Sequence, residues 1–341
     1  MFSDKTIILA VHEYADFSNT IRKGLEHLGF KVIELDTHQP PFKYKNAGER
    51  LHNFIRKTFL RDRNYKQRLK QKGIEEKLLQ QLEPYTQIDY ALLIRADILP
   101  ESVIDTIRKK TDLVTAYQWD GLDRFPIIYD YIPKFDRFFV FDIQDLSMVN
   151  ALPITNFYFN HFKIENNSKT ENQAFFIGSY FEPRNQILKD ISERLLDIGV
   201  KIDISIFSKH EHEIEEIQNL GFCHLDSTIS YEDNLRKTIS SEILIDVHIN
   251  EHKGLSFRIF EALGYDKKII TTNSIVKLYD FYDENNIFVW EDDNMGNLEY
   301  FLSTPYNNIA KEIKEKYAFE NWIHYVLDKE EYHPINLPKE Y

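Results

Sequence analysis

The first 35 residues contain a short apolar run, an amphipathic stretch and a second apolar run. Residues 6–11 and 31–35 are typical of buried strands, and residues 18–28 carry apolar side chains at helical spacing. A strand, a helix and a strand in this order predict a parallel sheet with helices on its faces. No Gly-x-Gly-x-x-Gly turn follows the first strand, so a dinucleotide site of that type is not expected there.

The same alternation continues to about residue 160. Further elements are predicted from a helical pattern at 101–109 and apolar runs at 90–95, 113–117, 137–141 and 156–159. Polar side chains follow three of the strands: His12 the first, Asp97 the third and Asp120 the fourth. Open α/β sheets place their ligands at the carboxyl ends of strands, so we expect a polar site at this edge.

A second α/β pattern begins after residues 161–173, which are polar, aperiodic and typical of a linker. Strands are predicted at 174–177, 201–207, 222–224, 242–248, 268–272 and 287–290, with helical patterns between them and at about 297–302 and 309–327. The chain therefore divides into a domain of residues 1–162, a domain of residues 173–318 and a C-terminal segment of residues 319–341.

The stretch GLSFRIFEALGYDKKIITTN, residues 254–273, is the most informative part of the second half. Gly254 and Ser256 stand at the predicted start of a helix, where free backbone N–H groups favour an anion such as a phosphate. Arg258 and Glu261 are three residues apart and share a face, so the cation could meet a diphosphate while the carboxylate accepts hydrogen bonds from a ribose diol. Spacing alone equally allows an ion pair on the helix surface.

This stretch resembles the donor-binding element of two-domain (GT-B) glycosyltransferases, in particular the CgeB-like group and related polysaccharide and lipopolysaccharide enzymes. Their pattern is Asn-x-His, a gap, and Gly-x-(Ser/Thr)-x-Arg-x-Phe-Glu-Ala. The matching residues are His248, Gly254, Ser256, Arg258, Phe260, Glu261 and Ala262. Asp246 stands where the pattern has Asn, Tyr265-Asp266 replaces a common Cys-Gly, and Lys253 stands where a broader motif has an earlier glutamate. In the first half, Asp120, Phe135-Asp136 and residues 139–142 also resemble this group.

The resemblance implies an α/β protein of GT-B type, with two Rossmann-like domains facing a central cleft and a terminal helix that packs back on the first domain. It implies transfer of a sugar from a nucleotide-diphosphate sugar to a glycan or glycolipid acceptor, in bacterial surface polysaccharide or lipopolysaccharide synthesis. The donor-binding residues that it implies are His248, Gly254, Ser256, Arg258 and Glu261. Arg184 is a further candidate because it lies near the start of a predicted helix, where it could contact the donor's phosphates, and the alternative is a surface arginine.

An inverting reaction would need a base in the first domain, for which Asp120 is the first candidate, followed by Asp97 and His12. A retaining reaction would need none, and the stereochemistry stays open. No zinc-ligand spacing and no Asp-x-Asp motif at a strand end is present, so we expect a metal-independent enzyme with no cofactor besides its donor substrate.

The net charge of −13 is distributed unevenly along the 341 residues. Between Lys43 and Lys72 there are eleven basic residues and two acidic ones, a local charge of +9 that leaves −22 on the rest of the chain. This stretch is either a solvated helix face or a docking segment for an anionic membrane surface or phosphorylated glycolipid.

Cellular location is predicted from one cysteine, Cys223, no leader-like start and no apolar run near the roughly 18 to 20 residues that span a bilayer. These features predict a cytoplasmic protein, with peripheral association at the inner face of the membrane through the basic stretch. Two other classes stay open: a non-catalytic nucleotide- or glycan-binding protein of the same fold, and a nucleic-acid binder that uses the basic stretch. The overall acidity argues against the latter, so no nucleic-acid partner is expected.

Overall fold

A computed structural model describes residues 2–12, 16–38, 44, 48, 50, 65–164, 173–248, 254–291, 295–329 and 331–338. Contacts between Cα atoms divide the chain into two compact units. The first contains residues 1–14 and 21–139, and the second contains residues 15–20 and 140–341. The domain limits predicted from the sequence, at residues 162, 173 and 318, stay a prediction.

The first sheet has six strands in the order β2-β1-β3-β4-β5-β6. They are β1 (Thr6–Val11), β2 (Lys31–Glu34), β3 (Ile88–Ile94), β4 (Thr111–Gln118), β5 (Arg137–Val140) and β6 (Leu152–Pro153). The pairings among β2, β1, β3 and β4 are parallel. The central strands are buried on both faces, which explains their near-continuous apolar sequences.

Several helices of the described residues accompany this sheet. They are α1 (Phe17–His27), α2 (Tyr65–Leu82), α3 (Glu101–Lys110), α4 (Ile128–Tyr131) and α5 (Ile143–Met148). Val103, Ile104 and Ile107 form the buried face of α3.

The second sheet also has six strands, in the order β12-β11-β10-β7-β8-β9, and every pairing is parallel. The strands are β7 (Gln173–Ser179), β8 (Lys201–Phe207), β9 (Cys223–Leu225), β10 (Ile243–Asp246), β11 (Lys268–Thr271) and β12 (Ile287–Val289). The helices of this part are α6 (Glu182–Asp197), α7 (Glu211–Asn219), α8 (Tyr231–Ser240), α9 (Phe257–Gly264), α10 (Leu298–Ser303), α11 (Lys311–Lys316) and α12 (Phe319–Val326).

Among the described residues, two hydrophobic clusters pack around the second sheet. Leu188, Ile191 and Leu195 of α6 belong to one cluster, and Ile259 and Phe260 of α9 belong to the other. Side chains of α6 and α9 are therefore buried in separate parts of the core, as in a doubly wound α/β fold.

The strand predicted at residues 156–159 needs correction. The last strand of the first sheet is Leu152–Pro153, and Tyr158 makes only an isolated bridge with Ala318. That bridge separates α11 from α12, and these two helices confirm the helical pattern predicted over residues 309–327. Residues before the bridge are held by α12 instead, since Trp322 Nε1 donates to the carbonyl O of Thr155 at 2.9 Å.

No helix in the part of the chain that the structure describes is long and apolar enough to cross a membrane. Most of the basic stretch between Lys43 and Lys72 lies outside the described residues. Its role at an anionic surface therefore stays a prediction.

Candidate functional site

The strand order fixes where the second sheet changes direction. From β7 the chain proceeds to β8 and β9 on one side, and then returns to the other side of β7 with β10, β11 and β12. Open α/β sheets bind ligands beyond the carboxyl ends of their strands at such a switch point. The candidate site therefore lies beyond Ser179 and Asp246, the last residues of β7 and β10.

Two predicted donor-binding arginines meet one aromatic ring at this edge. The guanidinium carbons of Arg184, in α6, and Arg258, in α9, lie 5.3 and 4.7 Å from the centroid of the Phe176 ring. Arg258 Nη2 donates to the carbonyl O of Ile177 at 2.8 Å, and Arg184 Nη2 donates to the carbonyl O of Ser179. Two cations held in this way favour an anion with more than one negative charge.

Asp246 supplies the negative charge at the same edge. Its carboxylate accepts hydrogen bonds from Ser256 Oγ and Thr271 Oγ1, each at 2.8 Å, and its Oδ1 lies 3.5 Å from Arg258 Nη1. The residue is only 3% exposed, and these three partners compensate for the loss of water around the carboxylate.

Glu261, the predicted ribose ligand, is 2% exposed and accepts a hydrogen bond at Oε1 from the hydroxyl of Tyr231. Burial raises the pKa of Glu261 above its ordinary 4.5, while the Tyr231 hydrogen bond and the charge of Arg258 offset part of that rise. Burial and the nearby Glu261 also raise the pKa of the Tyr231 hydroxyl. The ribose role of Glu261 stays a prediction, and it requires a ligand to reach this pair.

The start of α9 differs from a simple phosphate-binding turn. Ser256 is the N-cap residue, but its side chain makes no capping bond and donates to Asp246 instead. A Cβ on Gly254 would overlap the ring of Phe141, so the absence of a side chain lets this loop approach the ring closely. Gly254 therefore has a packing role that does not depend on any ligand.

His248 follows β10 at the same edge. Its backbone N donates to Thr272 Oγ1 at 2.8 Å, and its ring Nδ1 lies 3.4 Å from Nδ2 of Asn273. The structure thus brings His248, Ser256, Arg258 and Arg184 to the carboxyl ends of neighbouring strands.

Arg95 organises the carboxylates at the carboxyl edge of the first sheet. It follows β3 in the left-handed conformation, with φ 65°, and its Nε and Nη2 donate to the two oxygens of Asp97 at 2.7 and 2.8 Å. Its Nη1 binds Asp120 Oδ2, and Asp120 Oδ1 lies 3.1 Å from Arg124 Nη1. The ring of Phe125 covers the guanidinium, 3.8 Å from its carbon.

Burial disfavours the charge of Arg95, but its bonds to Asp97 and Asp120 outweigh that effect and raise its pKa above the ordinary value. Asp97 and Asp120, two candidate bases, therefore each form an ion pair with Arg95 in this structure.

The third candidate base, His12, is exposed and lines a pocket of about 320 Å³ within the first unit. The other lining residues are Thr37, His38, Ile74, Leu78, Ile98 and Leu99. His12 follows β1, which stands between β2 and β3, so it lies at the switch point of the first sheet.

Sequence reasoning missed Tyr231 and Phe176 as parts of the site. Tyr231 drew attention only through the capping sequence beside it, and the Ser230 cap is confirmed because Asp233 N donates to Ser230 Oγ at 3.1 Å. A large aromatic residue in the middle of a central strand was the only signal available for Phe176.

No protein-family model and no curated protein matches the chain. Among solved structures, it is similar to an alpha-glucosyltransferase (AGT) in complex with UDP, at 13% identity over 95% of this chain and 93% of that one, with a TM-score of 0.53. It is also similar to an alpha-glucosyltransferase in complex with UDP and a 13-mer DNA containing an HMU base, at 13% identity over 87% of this chain and 88% of that one, with a TM-score of 0.54.

A lipopolysaccharide outer core galactosyltransferase, WaaB, matches at 14% identity over 94% of this chain and 99% of that one, with a TM-score of only 0.45.

The fold is that of the two-domain GT-B glycosyltransferases. The narrower resemblance to the CgeB-like group stays a prediction.

The exclusion of nucleic acid as a partner is wrong. An alpha-glucosyltransferase of this fold is found in complex with DNA, as in the structure with a 13-mer described above. The exclusion rested on net charge summed over the whole chain, whereas binding to phosphates depends on local charge, and this chain has a strongly basic stretch.

Proposed function

We propose that the protein transfers a sugar from a nucleotide-diphosphate sugar to an acceptor hydroxyl. The observation that carries this proposal is the convergence of Arg184 and Arg258 on Phe176 at the switch point of the second sheet. The matched alpha-glucosyltransferase structures hold UDP, which makes UDP the first nucleotide to test.

Sugar transfer leaves the donor diphosphate with an additional negative charge as the bond from the anomeric carbon to the phosphate oxygen breaks. Arg184 and Arg258 would stabilise that charge, with His248 and the backbone N–H groups at the start of α9 as further donors. Protein cations in this role need no metal ion, so activity is expected to persist in a chelator.

For an inverting reaction, we rank His12 first as the general base. Asp97 and Asp120 are each paired with an arginine, so taking up the proton of the acceptor hydroxyl would cost either carboxylate an existing ion pair. His12 is exposed and lines a pocket next to apolar side chains.

The acceptor has two candidates. The resemblance of residues 248–262 to polysaccharide and lipopolysaccharide enzymes favours a glycan or glycolipid in surface polysaccharide synthesis. The fold shared with a DNA-bound alpha-glucosyltransferase, together with the local charge of +9 between Lys43 and Lys72, favours a nucleic acid as the second candidate.

The test measures nucleotide release and product from UDP-, GDP-, CMP- and dTDP-sugars, with lipopolysaccharide-type glycolipids in one arm and DNA oligomers with and without an HMU base in the other. Arg184→Gln and Arg258→Gln should each lower turnover by about 10²- to 10³-fold, the usual loss for a donor to developing charge. Arg194→Gln, on the same helix as Arg184 but paired with Glu299, is the matched control and should retain activity. Folded wild-type protein that consumes no donor in either arm would overturn the proposal.

A further inference from the structure

The short distance between Asp246 and Arg258 has a consequence for any bound diphosphate. Arg258 Nη1 is 3.5 Å from Asp246 Oδ1, so the cation proposed to bind phosphate already has a buried anion beside it. The Asp246 carboxylate and a bound diphosphate would then compete for one guanidinium, because each is stabilised by charge-assisted hydrogen bonds from Arg258.

Arg258 is also held by groups that carry no charge. Its Nη2 donates to the carbonyl O of Ile177 at 2.8 Å, and its guanidinium lies over the ring of Phe176. These two anchors come from β7 and do not depend on Asp246. Removal of the carboxylate charge would therefore leave the arginine oriented toward the same edge.

Asp246, in turn, is held by neutral donors. Ser256 Oγ and Thr271 Oγ1 each donate to it at 2.8 Å, and both hydrogen bonds delocalise its charge away from Arg258. An asparagine at this position could keep its oxygen toward Ser256 and Arg258 and donate its amide to Thr271, because a hydroxyl accepts as well as donates.

We propose that Asp246 is a counter-charge for Arg258, which weakens the binding of a nucleoside diphosphate at this site and so favours release of that product. This inference rests on the proposed function, since it presupposes that a diphosphate binds beside Arg258. Its distinctive consequence is that loss of a buried carboxylate strengthens binding of an anionic ligand, where loss of a purely structural residue would weaken binding.

The experiment is a calorimetric titration of wild-type protein and Asp246→Asn with UDP and with uridine at two salt concentrations. We expect Asp246→Asn to bind UDP about 3- to 30-fold more tightly, with a steeper salt dependence and unchanged uridine affinity, as removal of one nearby repulsive charge predicts. The matched control is Asp203→Asn, which removes the same charge from β8 where Asp203 pairs with Lys237, and it should leave both affinities unchanged.

Thr271→Val provides a second variant in case Asp246→Asn fails to fold. This substitution removes one hydrogen bond to the Asp246 carboxylate, so the carboxylate interacts more strongly with Arg258. UDP affinity should therefore fall by about 2- to 5-fold while uridine affinity stays the same. Equal changes for UDP and uridine in either folded variant would overturn the counter-charge role. Wild-type protein that binds no nucleoside diphosphate would instead overturn the proposed function and this inference with it.

Discussion

The hydroxyl of Tyr231 donates a hydrogen bond to Oε1 of Glu261, and both side chains are buried. A buried carboxylate is costly when charged, and the phenol lowers that cost without removing it, because the pKa of Glu261 stays above 4.5. This pair makes the second unit sensitive to pH.

The native state should bind more protons than the unfolded state from about pH 4.5 up to the raised pKa of Glu261. Wild-type stability relative to Glu261→Gln should therefore fall as pH rises through that window and level off above it. Chemical denaturation at several pH values measures the difference. Tyr231→Phe should extend the window upward, because it removes the hydrogen bond that favours the ionised form. A wild-type protein that gains stability over Glu261→Gln with rising pH would show that the pKa is lowered instead.

Glu261→Ala should also weaken nucleotide affinity by about 1.5 to 3 kcal/mol, the range for a hydrogen bond to a charged group, if the carboxylate binds the ribose hydroxyls. The ligand gives the control: 2′,3′-dideoxyuridine diphosphate lacks those hydroxyls, so its affinity for wild type and variant should be equal. A similar loss for both ligands would assign Glu261 a structural role.

Features that depend on neighbouring residues could be predicted from the sequence. Features that depend on contacts between residues far apart in the sequence could not. The strands at residues 6–11 and 201–207 were predicted with their observed limits, because continuous apolar runs need no knowledge of a partner. Residues 156–159 have a similar local pattern but pack against α12, and Tyr158 pairs with Ala318.

The same distinction applies to the site. Arg258 and Glu261 were predicted from local spacing and a local sequence resemblance, whereas their partners Ile177 and Tyr231 lie 81 and 30 residues away. No periodicity in the sequence connects such pairs, so the engagement of Glu261 by Tyr231 could not be predicted.

His12→Asn should lower turnover by roughly two to four orders of magnitude while donor affinity stays unchanged, as expected for loss of a general base. Asp120→Asn is the comparison and should cost less than about tenfold, because its oxygens serve Arg95 and Arg124. Steady-state kinetics distinguishes the two variants, with the acceptor that gives product in the turnover assay. The reverse ranking would transfer the role of base to Asp120.

Gly264→Ala should destabilise the protein by about 1 to 3 kcal/mol, because its new Cβ would overlap the ring of Tyr158. Gly73→Ala is the matched control within α2: nothing lies within 4 Å of its Cβ position, and alanine should stabilise that helix by about 0.5 to 1 kcal/mol. Urea denaturation measures both. Equal effects of the two substitutions would contradict the packing of Gly264 on Tyr158.

The most direct test of the account is calorimetric binding of UDP and uridine to wild-type protein and to the Arg184→Gln/Arg258→Gln double variant. The two guanidinium groups are proposed to bind the diphosphate, so the double variant should lose about 3 kcal/mol or more of UDP binding free energy, as two charge-assisted hydrogen bonds predict. Uridine affinity should not change, because uridine carries no phosphate. UDP binding that is absent in the wild type, or equal in both proteins, would contradict a diphosphate site at the ends of β7 and β10.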